Sequence, residues 1–213
     1  MRAIREPVNF YTHALPALLA IPACVLIYVK AQSPAEIVSG FIYSGCAFLL
    51  FLISAVYHGF SGSEKGLRFL QKCDHCCIYL MIAGTYTPTS LLVFAGWIKW
   101  ALLAVVWAIA ATGCILKIRD RLLNERVSLA LYISMGCLIV PLISQMLSVL
   151  PLAAIWWMLL GGVFYIGGTY FYYQDRPCGK RFHTHEIWHV FVVLGALSHF
   201  IYIYYYLLDG KHA

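Results

Sequence analysis

Residues 183–199 read HTHEIWHVFVVLGALSH, and the chain stays apolar from there to Leu208. A polar opening followed by an unbroken apolar run is the pattern of a membrane-spanning helix entered from its water-facing end. Residues four apart on a helix share one face. His185 and His189 therefore aim two imidazoles at one point, which is how a single helix presents half of a zinc site. Ionisable groups are costly where a helix meets hydrocarbon, so their presence in a span marks a functional site. The competing reading is a pair of interfacial histidines in water.

Composition extends that reading to the whole chain. The 213 residues are 62% hydrophobic and 11% charged, with a mean hydropathy of +0.79, too apolar for a soluble globular domain. Apolar runs long enough to cross ~30 Å of hydrocarbon fall at about Thr12 to Val29, Val38 to His58, Cys76 to Gly96, Trp100 to Leu116, Ser128 to Leu150, Leu152 to Tyr173 and Ile187 to Leu208. These predict an all-α, seven-transmembrane helix bundle. Neither a linker nor a composition shift divides it, so residues 1–213 read as one integral membrane domain. The turns around Gly96 to Trp100 and at Pro151 are short enough to make the helices they join antiparallel neighbours. Met1 to Tyr11 lacks the pattern of a cleavable signal peptide.

The net charge of +6 does not point to nucleic acid, because the basic residues fall in short loops rather than on one continuous face. With seven spans, the N-terminus and the loops after spans 2, 4 and 6 share a side. They hold Arg2, Arg5, Lys65, Arg68, Lys72, Lys117, Arg119, Arg121, Arg126, Arg176, Lys180 and Arg181, which is 12 of the 15 Lys and Arg and leaves Lys30, Lys99 and Lys211 opposite. That bias predicts a cytoplasmic N-terminus and an outside C-terminus, with Tyr202 to Tyr206 as an aromatic belt at the outer interface. Polar residues follow the same map. Glu6, Asn9 and His13 lead into span 1, Ser54 and His58 close span 2, Asp74 and His75 open span 3, and His185, Glu186 and His189 open span 7, all at the cytoplasmic end. Helices converging there offer three histidines and a carboxylate, a donor set that suits zinc with an open position.

Four motifs in order, Glu6-Pro7-Val8-Asn9 with Thr12-His13, Ser54-Ala-Val-Tyr-His58, Asp74-His75 with Tyr79 and Ala83-Gly84-Thr85-Tyr86-Thr87-Pro88, and His185-Glu186-Ile187-Trp188-His189, resemble the haemolysin III family. That family is the bacterial branch of the progestin and adipoQ receptor family, in a superfamily with alkaline ceramidases. The resemblance covers nearly the whole chain and implies a bacterial inner (plasma) membrane protein. Carried over position by position, it implies a Zn²⁺ held by His58, His185 and His189, with Ser54 and Asp74 beside it. Zinc held by three imidazoles lowers the pKa of a bound water to about 7. Asp74 is then the natural proton carrier in attack on an amide or ester carbonyl, and Ser54 a hydrogen-bond donor to the developing oxyanion or a support for a ligand. Each has a plainer reading: Ser54 bonding its own helix, and Asp74 capping the N-terminus of span 3.

Rival motifs carry less. His185-Glu186-x-x-His189 matches a metalloprotease pattern with Glu186 as base, but Asp209, a tempting remote acidic ligand, lies ~36 Å away along the same helix; Glu186 is expected beside the site or at the surface. His199 is ~21 Å past His185 and is expected to bond a neighbouring helix. His183 reads as a loop residue and His13 as a structural neighbour of the cluster. His75 stays outside the ligand set. Cys73-Asp74-His75-Cys76 lacks the second pair a thiolate site needs. Gly161, Gly162, Gly167 and Gly168 read as helix packing, and Pro88 as a kink whose freed carbonyls meet hydroxyls. Three functions follow: a zinc-dependent hydrolase with a membrane lipid as substrate, a receptor or sensor with a structural zinc and a lipid as ligand, and a pore, which should show a polar stripe along whole spans.

Overall fold

The computed structural model describes residues 4–122, 124–174, 176–177 and 183–208. Arg2, Lys180, Arg181, Asp209 and Lys211, used above, lie outside these. Seven helices are long and apolar enough to span a membrane: α1 (Pro7–Lys30), α2 (Pro34–Gly59), α3 (Glu64–Val93), α4 (Gly96–Ile118), α5 (Glu125–Leu147), α6 (Leu152–Gln174) and α7 (Thr184–Tyr206). No strand is present among the described residues.

Local chemistry sets the helix ends. Pro7 and Pro34 begin α1 and α2, where a missing N–H costs nothing. Ser33 and Ser63 accept from the third residue of α2 and α3, and Asn124 accepts from Arg126 in α5. Only Phe94 and Ala95 link α3 to α4; Gly96 makes the turn at φ +60, a conformation open to glycine. Inside α5, Pro141 has no N–H to give, and Cys137–Leu142 tightens to a 3₁₀ turn. One phenol serves this break: Tyr86 shares its one proton between the Met135 and Gly136 carbonyls at 3.0 and 2.7 Å and accepts the Ile139 N–H at 3.0 Å.

Neighbours in sequence pack together through α1 to α4 and again between α6 and α7, while α7 returns to α1. Of its most apolar window α3 has 67% buried and α5 only 11%, so α3 is the central post and α5 a loosely attached outer helix. Leu18, Val29, Trp97, Trp156 and Val163 stand more than half exposed on the outside, which hydrocarbon rather than water would cover.

The spans match expectation in number, and differ in two places. α3 starts at Glu64, capped by Ser63, so Asp74 is not an N-cap but lies ten residues inside a helix. A hydropathy window cannot see the polar turns from Glu64 to Lys72 that extend α3 beyond its apolar run. Tyr202 leaves the aromatic belt: it is 1% exposed and shares a 3.3 Å hydrogen bond with Thr89, whereas Tyr204 takes Lys30 over its ring and through its carbonyl. The threonine hydroxyls near Pro88 go to the Met81 and Ala83 carbonyls, from Thr85 and Thr87, rather than to the Gly84 carbonyl that Pro88 leaves without an amide.

Candidate metal centre

The start of α1, the end of α2 and the start of α7 meet at one end of the bundle. There His58, His185 and His189 bring one ligand nitrogen each to within 4.8 Å of one another, close enough to hold a metal ion. His58 and His189 are buried, and His185 is half-buried.

Hydrogen bonds settle which nitrogens face inward. His58 Nδ1 donates to the Glu6 carboxylate at 2.5 Å, and its Nε2 is buried with no protein partner among the described residues. Thr12 gives its only proton to the Asn9 carbonyl at 2.9 Å. Its oxygen can then only accept from His189 Nδ1, at 3.0 Å, which leaves His189 Nε2 as a lone pair. Two imidazoles are thus each oriented through Nδ1 by an outer oxygen, which turns Nε2 toward the cluster as a metal-ligating histidine needs.

Glu6 is itself braced. It takes a hydrogen bond from Asn9 Nδ2 at 3.1 Å and pairs ionically with Arg5 at 2.5 Å, while Arg5 also reaches the Tyr57 carbonyl and stacks over its ring. Burial works to raise the Glu6 pKa, but the hydrogen bonds from His58 and Asn9, with the Arg5 charge, outweigh it and hold the carboxyl below the usual carboxylate range. The outer ligand of His58 is therefore a carboxylate at any ordinary pH. His13 stacks flat on His189, centroids 3.8 Å apart and planes 5° apart, and packs edge-on to Phe51. It buttresses the cluster, as expected of a structural neighbour.

Beside the histidines, Ser54 and Asp74 face one another, with His58 next to Asp74. All five residues, with Glu6 and His13, line one cavity of about 1030 Å³. It runs from this end past Tyr86 and Thr89 to Met158 and His199, bounded on one side by the loosely packed α5 and by α6. Glu186 is buried, and its carboxylate accepts the His183 N–H at 2.6 Å, capping α7. That position is inside the protein rather than on its surface. His183 is exposed and sits at the helix cap, and His199 bonds the Met158 carbonyl of α6 as expected. His75 also lines the cavity and stays out of the cluster. The roles of Glu6 and Thr12 were not foreseen: they act across 52 and 177 residues of sequence, and the order of polar residues signals only that they share an end.

The haemolysin-III related family model matches residues 1–200. The chain belongs to the haemolysin III family. It is 33% identical to Hemolysin-3 of Bacillus cereus over 207 residues, 95% of this chain and 92% of that one. It is 35% identical to the Hemolysin-3 homolog of Bacillus subtilis (strain 168), covering 97% and 96%. The Monocyte to macrophage differentiation factor of Homo sapiens is 30% identical, over 93% of this chain and 83% of its own. This haemolysin III family protein is thus an integral membrane protein whose similarity to those relatives runs through all seven helices.

Proposed function

We propose that this protein is a zinc-dependent hydrolase of a membrane lipid amide or ester, working at the cytoplasmic face of the plasma membrane, in a bacterium the inner membrane. The observation that carries the reading is the placement of three inward-facing histidines, with Asp74 and Ser54, at the mouth of a cavity that continues into the bilayer region of the bundle. The donor set fits zinc: neutral nitrogens, two of them oriented by outer oxygens, and only three of them, which leaves an open position. Zinc held by His58, His185 and His189 would supply a Lewis acid and lower the pKa of a water at that position.

The chain's own groups do the rest. The cavity takes an acyl chain lengthwise and leaves its carbonyl at the histidine end. Asp74 accepts the proton of the attacking water as the water oxygen bonds to the carbonyl carbon. It then returns that proton to the leaving nitrogen or oxygen as the C–N or C–O bond breaks, so the products are a carboxylic acid and an amine or alcohol. Ser54, beside Asp74, orients it toward the reacting carbon.

Purified protein in lipid nanodiscs, offered acyl amides and esters of membrane lipids, should release free fatty acid. Asp74→Asn should lower that rate by about 10²- to 10⁴-fold with metal retained. Release that is the same in Asp74→Asn, or absent from every lipid offered to metal-replete protein, would end the hydrolase reading. One observation favours a second reading: the ligands and their outer partners tie α1, α2 and α7 together, as a structural clasp in a receptor or sensor would. Retained metal, no turnover, and loss of fold on chelation would select it.

A further inference from the structure

About ten residues beyond His189 on α7, the cavity carries a second set of polar atoms that hydrolysis does not use. His199 is 8% exposed, and its Nε2 meets the Met158 carbonyl at 3.0 Å. A carbonyl only accepts, so the proton is on Nε2 and Nδ1 is a lone-pair acceptor. That Nδ1 is buried without a protein partner among the described residues. So is the hydroxyl of Tyr165, whose ring centroid lies 5.6 Å from that of His199. Both residues line the cavity. Glycines make room for both rings: a Cβ on Gly161 would fall 2.3 Å from His199, and one on Gly195 2.9 Å from Tyr165. Buried polar atoms left unpaired are costly, and two of them on adjacent rings that both line the cavity point to a place for a ligand group with hydrogen-bonding capacity.

We infer that His199 and Tyr165 form a subsite for a hydroxyl group carried far along the apolar chain of the bound lipid. The hydroxyl donates to His199 Nδ1 and accepts from Tyr165 Oη. A charged group does not suit the pair, because a neutral acceptor and a phenol offset no ionic charge at that depth. The inference rests on the cavity being the berth of an acyl chain. Ten residues of helix separate His189 from His199, an axial distance of ~15 Å. An extended chain advances ~1.2 Å per bond. The hydroxyl therefore belongs about 12 bonds from the group held at the histidine end.

The test is displacement of labelled dodecanoate from the purified, metal-replete protein by unlabelled dodecanoate, 6-hydroxydodecanoate and 12-hydroxydodecanoate. The 12-hydroxy acid should compete roughly fivefold better than dodecanoate, and the 6-hydroxy acid should gain nothing. Tyr165→Phe, which keeps the ring, should reduce the preference to about twofold or less without changing dodecanoate affinity. His199→Gln, which keeps a donor for the Met158 carbonyl, should do the same. Equal competition by dodecanoate and its 12-hydroxy form, as when a water already serves these atoms, would overturn the inference. So would a preference that survives in both variants, or binding of neither acid. Binding is read without turnover, so the two readings fail separately. Hydroxyl preference without hydrolysis upholds the subsite and sinks the hydrolase; hydrolysis of plain acyl amides without the preference does the reverse.

Discussion

Glu6 sits 52 residues from His58 in sequence and 2.5 Å from its Nδ1 in space. That contact decides which nitrogen of His58 is offered to a metal, and it is the part of the centre least legible in the sequence. The three histidines announce themselves by helical spacing and by lying at one end of successive spans. An outer oxygen leaves no periodic mark. Glu6→Gln keeps the shape of the side chain and removes its charge, so metal affinity should fall about 10- to 100-fold in a competitive chelator titration. Thr12→Val, which takes the acceptor from His189 Nδ1, should weaken binding in the same direction. Unchanged affinity in both would mean that the histidines do not depend on these partners. Asp74 gives the opposite lesson. Its position was readable, but its surroundings were not, because a capping residue and one well inside a helix look alike without knowing where the helix begins.

The helices show how packing overrides hydropathy. Seven apolar runs were legible because hydrocarbon imposes a length and a polarity on each segment. The 3₁₀ turn in α5 was not, since its key partner is on α3. Tyr86→Phe leaves the Ile139 N–H without its acceptor and the Met135 and Gly136 carbonyls without their donor. It should cost about 1–3 kcal/mol, read as a lower midpoint in detergent thermal unfolding; an unchanged midpoint would show that the turn stands without the phenol. The glycines of α6 divide similarly. A Cβ added at Gly161 would clash with the His199 ring and one at Gly162 would meet nothing within 4 Å, so Gly161→Ala should destabilise by about 1–3 kcal/mol and Gly162→Ala by far less. Equal effects would mean that the α6–α7 contact is not set by these positions.

At the scale of the molecule, one end of the bundle gathers the ionisable groups and the other does not. The basic loops at the histidine end lead us to propose that this end is cytoplasmic. Alkaline phosphatase fused after Ala213 should then be active in a bacterial host and inactive when fused after Asp120; the reverse pattern would turn the protein over. The cavity, in contrast, lay beyond sequence reasoning, because it is made by what α3, α5, α6 and α7 fail to fill rather than by any motif. The central claim is that the three histidines hold a metal. It is tested most directly by elemental analysis of protein purified without chelator, wild type beside His58→Ala, His189→Ala and Asp74→Asn. The account predicts about one zinc per chain in the wild type, loss of it in both histidine variants, and retention in Asp74→Asn. A folded wild type without zinc, or zinc retained in both histidine variants, would contradict it.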